Sequence, residues 1–110
     1  MKTTILFTIT LALTSISMGG TNTATIRKNL AEVKECYVSR LEQRPELTGK
    51  VAMLWELNMD GTVGEATIES STLGDAYVED CLIKESQNWK FPKPPYGGIV
   101  TVRDTFNFSK

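Results

Sequence analysis

The chain has 110 residues, a net charge of −1 and no histidine. The absence of histidine excludes His-based catalytic triads, histidine-containing zinc sites and histidine acid–base catalysis. Acidic residues (13) and basic residues (12) are interspersed, so we expect no surface of one sign that would attract nucleic acid or anionic lipid.

The first 19 residues form a pattern typical of a secretory signal peptide. Lys2 precedes an apolar run over residues 5–13, and small residues are frequent in the segment 14–20 that follows. The run is too short to cross a bilayer comfortably, so we expect removal of residues 1–19 and no lasting membrane insertion. An uncleaved anchor or a core helix is the alternative. The remaining domain, residues 24–110, is expected to be periplasmic or secreted.

Two cysteines, Cys36 and Cys81, lie in the part of the chain that is predicted to be exported. In an oxidising compartment, an even number of cysteines in a small domain indicates a disulfide. A bridge that closes a loop of about 46 residues stabilises a domain by at most about 4 kcal/mol in the chain-entropy model. Two buried free thiols are the alternative.

The first element of the domain is a predicted helix that begins at about Thr25. Its apolar residues recur at spacings of three and four, which is the period of one helical face. They are Ile26, Leu30, Val33, Tyr37 and Leu41. Residues 22–25 are polar and expected to be loose, and Pro45 ends the helix because proline lacks an N–H donor.

A β-hairpin is predicted next. Its first strand shows apolar residues at the two-residue period of a strand, and these are Val51, Met53, Trp55, Leu57 and Met59. Asp60-Gly61 is typical of a hairpin turn, because glycine accepts a positive φ and aspartate tolerates it. The return strand runs over about residues 62–70, with Ala66 and Ile68 on one face.

A second helix follows a turn, with Thr72 or Asp75 as its N-cap. Its apolar face contains Val78, Leu82 and Trp89. Glu85 falls on the same face. We interpret Glu85 as a carboxylate that reaches past the apolar stripe to water, and a functional buried acid is the alternative.

The segment WKFPKPPYGG, residues 89–98, is stiff and rich in aromatic side chains. Trp89 and Phe91 are predicted to lie in the core, where large aromatic side chains bury much area. Pro92 ends the helix, and the following prolines hold an extended arm that leads into the last strand.

The last strand is predicted over residues 98–108. One face carries apolar side chains at Val100, Val102, Phe106 and Phe108. Asp104 interrupts this apolar row. An inward-directed charge is one known way to discourage unwanted pairing at a sheet edge, and a β-bulge at Asp104 is the competing interpretation.

The predicted order is therefore helix, strand, strand, helix, strand. This α-β-β-α-β order favours an α+β two-layer domain, in which two helices pack on a three-stranded antiparallel sheet. The last strand is expected beside the first hairpin strand and antiparallel to it. The last strand then forms one edge of the sheet.

A series of short motifs runs from about residue 30 to residue 108. These motifs are Cys36-Tyr37, Pro45-x-Leu47-x-Gly49, Gly49-Lys50-Val51, Asp60-Gly61-x-Val63, Ser70-Ser71-x-Leu73-Gly74-Asp75, Cys81, Trp89-x-Phe91-Pro92, Gly97-Gly98, Val100-x-Val102 and Phe106-x-Phe108. In this order and spacing they resemble the carboxy-terminal domain of TonB-type energy transducers. The resemblance to the AgmX/PglI carboxy-terminal domain is closer.

The resemblance implies an αββαβ domain in which a Cys36–Cys81 disulfide joins the two helices. TonB-type domains bind a short peptide strand along the edge of the sheet. This chain has no Pro-rich spacer and no evident permanent anchor, so we do not expect it to transmit force from an inner-membrane motor. Asp104 also stands where related domains often carry an apolar residue or proline.

These observations predict an exported, non-catalytic protein-binding module of the cell envelope. Its binding surface is the edge of the last strand, where backbone groups pair with an extended peptide or with a second copy of the chain. The residues predicted to form this edge are Ile99, Thr101, Val102, Arg103 and Thr105. The sequence contains no recognisable catalytic residues, cofactor-binding motif or metal site.

The alternative hypothesis is a small exported enzyme or enzyme inhibitor with a pocket between helix and sheet. Glu85, near Trp55 and Trp89, is its best candidate for a functional acid. The missing catalytic chemistry favours the binding module.

Overall fold

The structure, a computed structural model, describes residues 8–12, 19–94 and 100–109. Its elements in chain order are β1 (Thr8–Ala12), α1 (Gly19–Lys28), α2 (Leu30–Leu41), β2 (Gly49–Leu57), β3 (Val63–Ser71), α3 (Ala76–Ser86) and β4 (Val100–Ser109). The strands form one antiparallel sheet in the order β1-β4-β2-β3. The predicted α+β class, with the last strand beside the first hairpin strand, is confirmed.

The helical stripe predicted from the sequence lies in the core, where Ile26, Val33, Tyr37 and Leu41 are buried. The expectation that residues 22–25 are loose is wrong, because they belong to α1 and Thr25 is buried. Asn29 separates α1 from α2, and its side-chain amide donates to the Thr25 carbonyl at 2.8 Å. This bond holds the end of α1 against the start of α2.

The hairpin of β2 and β3 has the predicted turn. Gly61 has φ +90°, and a Cβ atom at this position would lie 2.1 Å from the carbonyl oxygen of Phe91. The turn therefore needs glycine both for its backbone angle and for the close approach of residue 91. The predicted alternation extends one step too far: β2 ends at Leu57, and Met59 is 64% exposed.

Strand β3 carries two β-bulges against β2. Gly64 and Glu69 have no Cα partner in the register, which shifts at both places. An extra residue of this kind bends a strand and disrupts its ladder. The outer side of β3, which is one edge of the sheet, is therefore irregular.

The segment from Trp89 to Phe91 packs on the sheet as predicted, although α3 ends at Ser86 and Trp89 lies in the turn after it. Both aromatic side chains are buried beside Trp55 at ring-centroid distances of 5.5 and 6.1 Å. Residues 95–99, which include the second half of the proline-rich arm, lie outside the described residues.

Helices α2 and α3 are joined by a disulfide and by ion pairs at the start of α3. The Cys36–Cys81 disulfide links α2 to α3 with a Cα–Cα distance of 5.7 Å, so the predicted bridge is confirmed. Asp75 is the N-cap of α3, and its Oδ1 accepts the Val78 N–H at 3.0 Å. Its Oδ2 accepts from Arg40 and Arg44 at 3.0 and 2.7 Å.

Candidate functional site

The candidate site is the outer side of β4, the side that faces away from β2, which we call the β4 edge. Strand β4 is long and pairs with β2 in one continuous register from Gly49↔Phe108 to Leu57↔Val100. The expectation that β4 is a free edge is wrong for its second half, because β1 pairs with Thr105–Ser109. Strand β1 comes from the segment that was predicted to be a signal peptide.

The hydrogen bonds of β2 show which backbone groups of β4 face outward. The Lys50 N–H donates to Thr72 Oγ1 and the Lys50 carbonyl accepts the Thr72 N–H, so the backbone of residue 50 faces β3. Backbone direction alternates along a strand, so odd-numbered residues of β2 face β4. In the observed register these pair with even-numbered residues of β4, for example Val51 with Phe106.

It follows that odd-numbered residues of β4 direct their N–H and C=O groups to the β4 edge. Three of them, Thr105, Asn107 and Ser109, are paired with β1. Among the residues that the structure describes, no strand pairs with Thr101 or Arg103 on this side. In the first half of the β4 edge, two sets of outward backbone groups therefore have no strand partner within the described ranges.

The structure separates the predicted edge residues into three groups. Thr101, Arg103 and Thr105 direct their backbone outward, and their side chains lie on the sheet face away from the helices. Val102 does not contribute, because its backbone faces Trp55 of β2 and its side chain is buried in the core. The position of Ile99 lies outside the described residues.

Asp104 lies directly before Thr105–Ser109, the part of the β4 edge that pairs with β1. It is only 1% exposed, on the core face of the sheet, where its row also contains Val102 and Phe106. The register with β2 continues through Met53↔Asp104, so the interpretation as a β-bulge is wrong. The other interpretation agrees with the structure, in which the Asp104 side chain is directed inward.

The Asp104 carboxylate has one partner of its own. Its Oδ1 accepts the N–H of Thr105 at 2.8 Å, and its Oδ2 has no hydrogen-bond partner among the described residues. Burial raises the pKa of the Asp104 carboxyl to about 6, and the Thr105 N–H lowers it only in part. Because the Thr105 N–H points outward, the carboxylate reaches to the β4 edge and occupies a donor that a pairing strand needs.

Glu85, the candidate acid of the alternative hypothesis, does not lie between helix and sheet. Its side chain is exposed, which confirms the interpretation that it reaches water. It borders an open groove of about 270 Å³ beside the Cys36–Cys81 disulfide, together with Glu32 and Glu35. Glu32 in this groove accepts the indole N–H of Trp89 at 3.0 Å, which gives it a structural role.

Two general findings complete the description of the site. Within residues 8–12, 19–94 and 100–109, no three acidic, cysteine or histidine side chains cluster in a way that would hold a metal ion. No helix in the same ranges has the length and apolar composition needed to span a bilayer.

Comparisons with models of protein families, with curated proteins and with solved structures found no match for this chain.

The sequence reasoning missed two features of the β4 edge. One is β1, although the alternation of Thr8, Ile9, Thr10 and Leu11 is a strand pattern that was available in the sequence. The apolar run of which these residues are part favoured the signal-peptide interpretation instead. The other is the bond from Thr105 to Asp104, which no sequence pattern indicates.

Proposed function

We propose that this chain is an exported, non-catalytic protein-binding module of the cell envelope that binds an extended segment of a partner along the β4 edge. One observation carries the proposal. The β4 edge already accepts a strand, β1, over Thr105–Ser109, while the outward backbone groups of Thr101 and Arg103 have no strand partner among the described residues. A strand edge of this kind binds through main-chain hydrogen bonds.

The predicted signal peptide extends this proposal. Strand β1 lies entirely within residues 1–19, so removal of that segment would free Thr105–Ser109 as well. The complete β4 edge, ten residues long, would then be open to a partner strand. The disulfide is in keeping with the oxidising compartment that such an export route implies.

We also propose kinship with the TonB-type carboxy-terminal domains, and in particular with the AgmX/PglI domain. The helix–hairpin–helix–strand order and the disulfide between the helices support this relationship. The binding mode of TonB-type domains, strand addition at the sheet edge, agrees with the choice of the β4 edge.

The test replaces Arg103 by proline in the full chain and by alanine in a matched control. Proline removes the outward N–H, whereas alanine removes only an exposed side chain that pairs with Glu69. We expect partners captured from envelope extract by the parent chain and by Arg103→Ala to be lost with Arg103→Pro. Mass spectrometry identifies the partner, and analytical ultracentrifugation shows whether it is a second copy of the chain.

Equal capture by Arg103→Pro and Arg103→Ala would contradict the proposal, provided that circular dichroism shows both variants folded. Val102→Pro is unsuitable for this purpose. The Val102 N–H faces β2, so that change breaks the sheet itself.

A further inference from the structure

The β4 edge contains a carboxylate that no cation of the described residues balances. The Asp104 carboxylate is buried, and none of the described lysine or arginine side chains forms an ion pair with it. Its neighbour Arg103 points to the other face of the sheet and pairs with Glu69 at 3.0 Å. A buried carboxylate without a cation is costly, so a partner that supplies one gains binding energy at this position.

The position of Asp104 in the ladder places its buried side chain next to any strand that pairs along the β4 edge. Its backbone faces β2, so a residue opposite it on the outer side forms a non-hydrogen-bonded pair. Such pairs bring Cα atoms to about 4.5 Å and place both side chains on the same face. A long side chain in that position lies beside the Asp104 carboxylate, whose Oδ2 atom has no hydrogen-bond partner among the described residues.

We propose that the segment bound at the β4 edge carries a lysine or arginine opposite Asp104, and that this cation binds the Oδ2 atom left without a partner. This inference rests on the proposed function. The aliphatic part of such a side chain packs along the apolar row of Val102 and Phe106, and its charged end reaches the carboxylate. A carboxylate accepts hydrogen bonds and donates none, so a cationic donor is its best complement.

Strand β1 supplies the register for a sharp test. Ala12 pairs with Thr105, so the next residue of an antiparallel peptide of the same sequence lies opposite Asp104. The chain's own residues 8–14 read TITLALT. Three acetylated and amidated peptides, TITLALT, TITLAKT and TITLAET, therefore differ only at the position that meets the carboxylate.

The peptides are titrated into the oxidised full chain carrying Thr10→Pro, and isothermal titration calorimetry measures their binding. Thr10 pairs with the outward-facing Asn107, so proline there weakens the hold of β1 without truncating the protein. We expect TITLAKT to bind at least tenfold more tightly than TITLALT, and TITLAET to bind most weakly. The same titration with Asp104→Asn added in the protein is expected to abolish the preference for lysine.

Equal affinities of the three peptides would overturn the inference, and so would a lysine preference that survives Asp104→Asn. Absence of binding by all three peptides would overturn it as well. None of these results decides the proposed function, which depends on the separate comparison of Arg103→Pro with Arg103→Ala.

Discussion

The junction of α2 and α3 and the middle of β4 each bury an aspartate, and their surroundings differ. Asp75 accepts one backbone N–H and two guanidinium groups, whereas Asp104 accepts one backbone N–H and leaves an oxygen without a partner. The side chains are almost equally inaccessible. The difference leads us to expect that the hydrogen-bonding partners of a buried charge, rather than its depth, decide whether it stabilises this fold.

The pKa values of the two aspartates are also shifted in opposite directions. Burial by itself would raise the pKa of Asp75, but the Val78 N–H and the guanidinium groups of Arg40 and Arg44 hold it below its usual range. The pKa of Asp104 rises to about 6 because burial is opposed only by the Thr105 N–H. Of the three buried side-chain polar atoms without a partner among the described residues, two belong to β4, at Asp104 and Asn107.

The largest expected effect on stability comes from breaking the disulfide between α2 and α3, near the well-paired Asp75. In the chain-entropy model, loss of the Cys36–Cys81 bridge lowers the free energy of unfolding by up to about 4 kcal/mol. We expect urea denaturation with and without reductant to show this difference. The variant Cys36→Ser/Cys81→Ser should be as unstable as the reduced chain and insensitive to reductant. A midpoint unchanged by reduction would contradict a stabilising role.

The second effect separates the two roles of Asp75. Asp75→Ala removes the helix cap and the partner of two arginines, so we expect a loss of about 3 kcal/mol at pH 7. Asp75→Asn keeps the capping oxygen and should lose less. Asp80→Asn, an exposed aspartate on the same helix, is the matched control and should change stability little. If Asp80→Asn lowered the free energy of unfolding as much as Asp75→Asn does, the result would contradict a specific stabilising role of the Asp75 carboxylate.

The sign of the pH dependence follows for Asp75. Its folded-state pKa is depressed, so its stabilising contribution is present above the unfolded pKa of about 4 and is lost as the pH falls through the folded value.

The smallest effect has the opposite sign. Asp104→Asn removes a buried charge that forms no ion pair within the described residues, and we expect it to stabilise the chain at pH 7 by about 1–2 kcal/mol. Because the folded pKa lies above the unfolded value, Asp104 costs nothing below about pH 4, and its cost grows until the pH passes about 6. Denaturant titrations of parent and variant at pH 4 and pH 7 measure this. Destabilisation by Asp104→Asn at pH 7 would show that the carboxylate is balanced after all.

The local patterns of the sequence predict most of the fold because each pattern reflects a preference of residues that are close together in the chain. The stripe through Val33 and Tyr37 reports a helical period, and Asp60-Gly61 reports a turn that needs positive φ. The interaction of Trp89 and Phe91 with the core follows from their size and from the prolines beside them. Such features depend on residues that are neighbours along the chain, so they can be predicted from the sequence alone.

The β4 edge was predictable only in part, because its composition depends on contacts between distant segments. The sequence placed Asp104 on an apolar row, but not its bond to Thr105 or the orphaned oxygen. The pairing of β1 with β4 joins residues about a hundred positions apart, and no local pattern reports it. The register with β2 likewise determines that the backbone N–H and C=O groups of Val102 face β2 rather than the β4 edge.

The bulges of β3 set a limit on how copies of this domain assemble. If residues 1–19 are removed, β1 is lost and β4 becomes a border of the sheet; because Gly64 and Glu69 interrupt the β3 border, regular strand addition would then have only the β4 border available. Two copies that join through that border use the same surface on each, related by a two-fold axis, and each leaves only its irregular border outside. We therefore expect self-association by this route to stop at a pair rather than to propagate into a fibre.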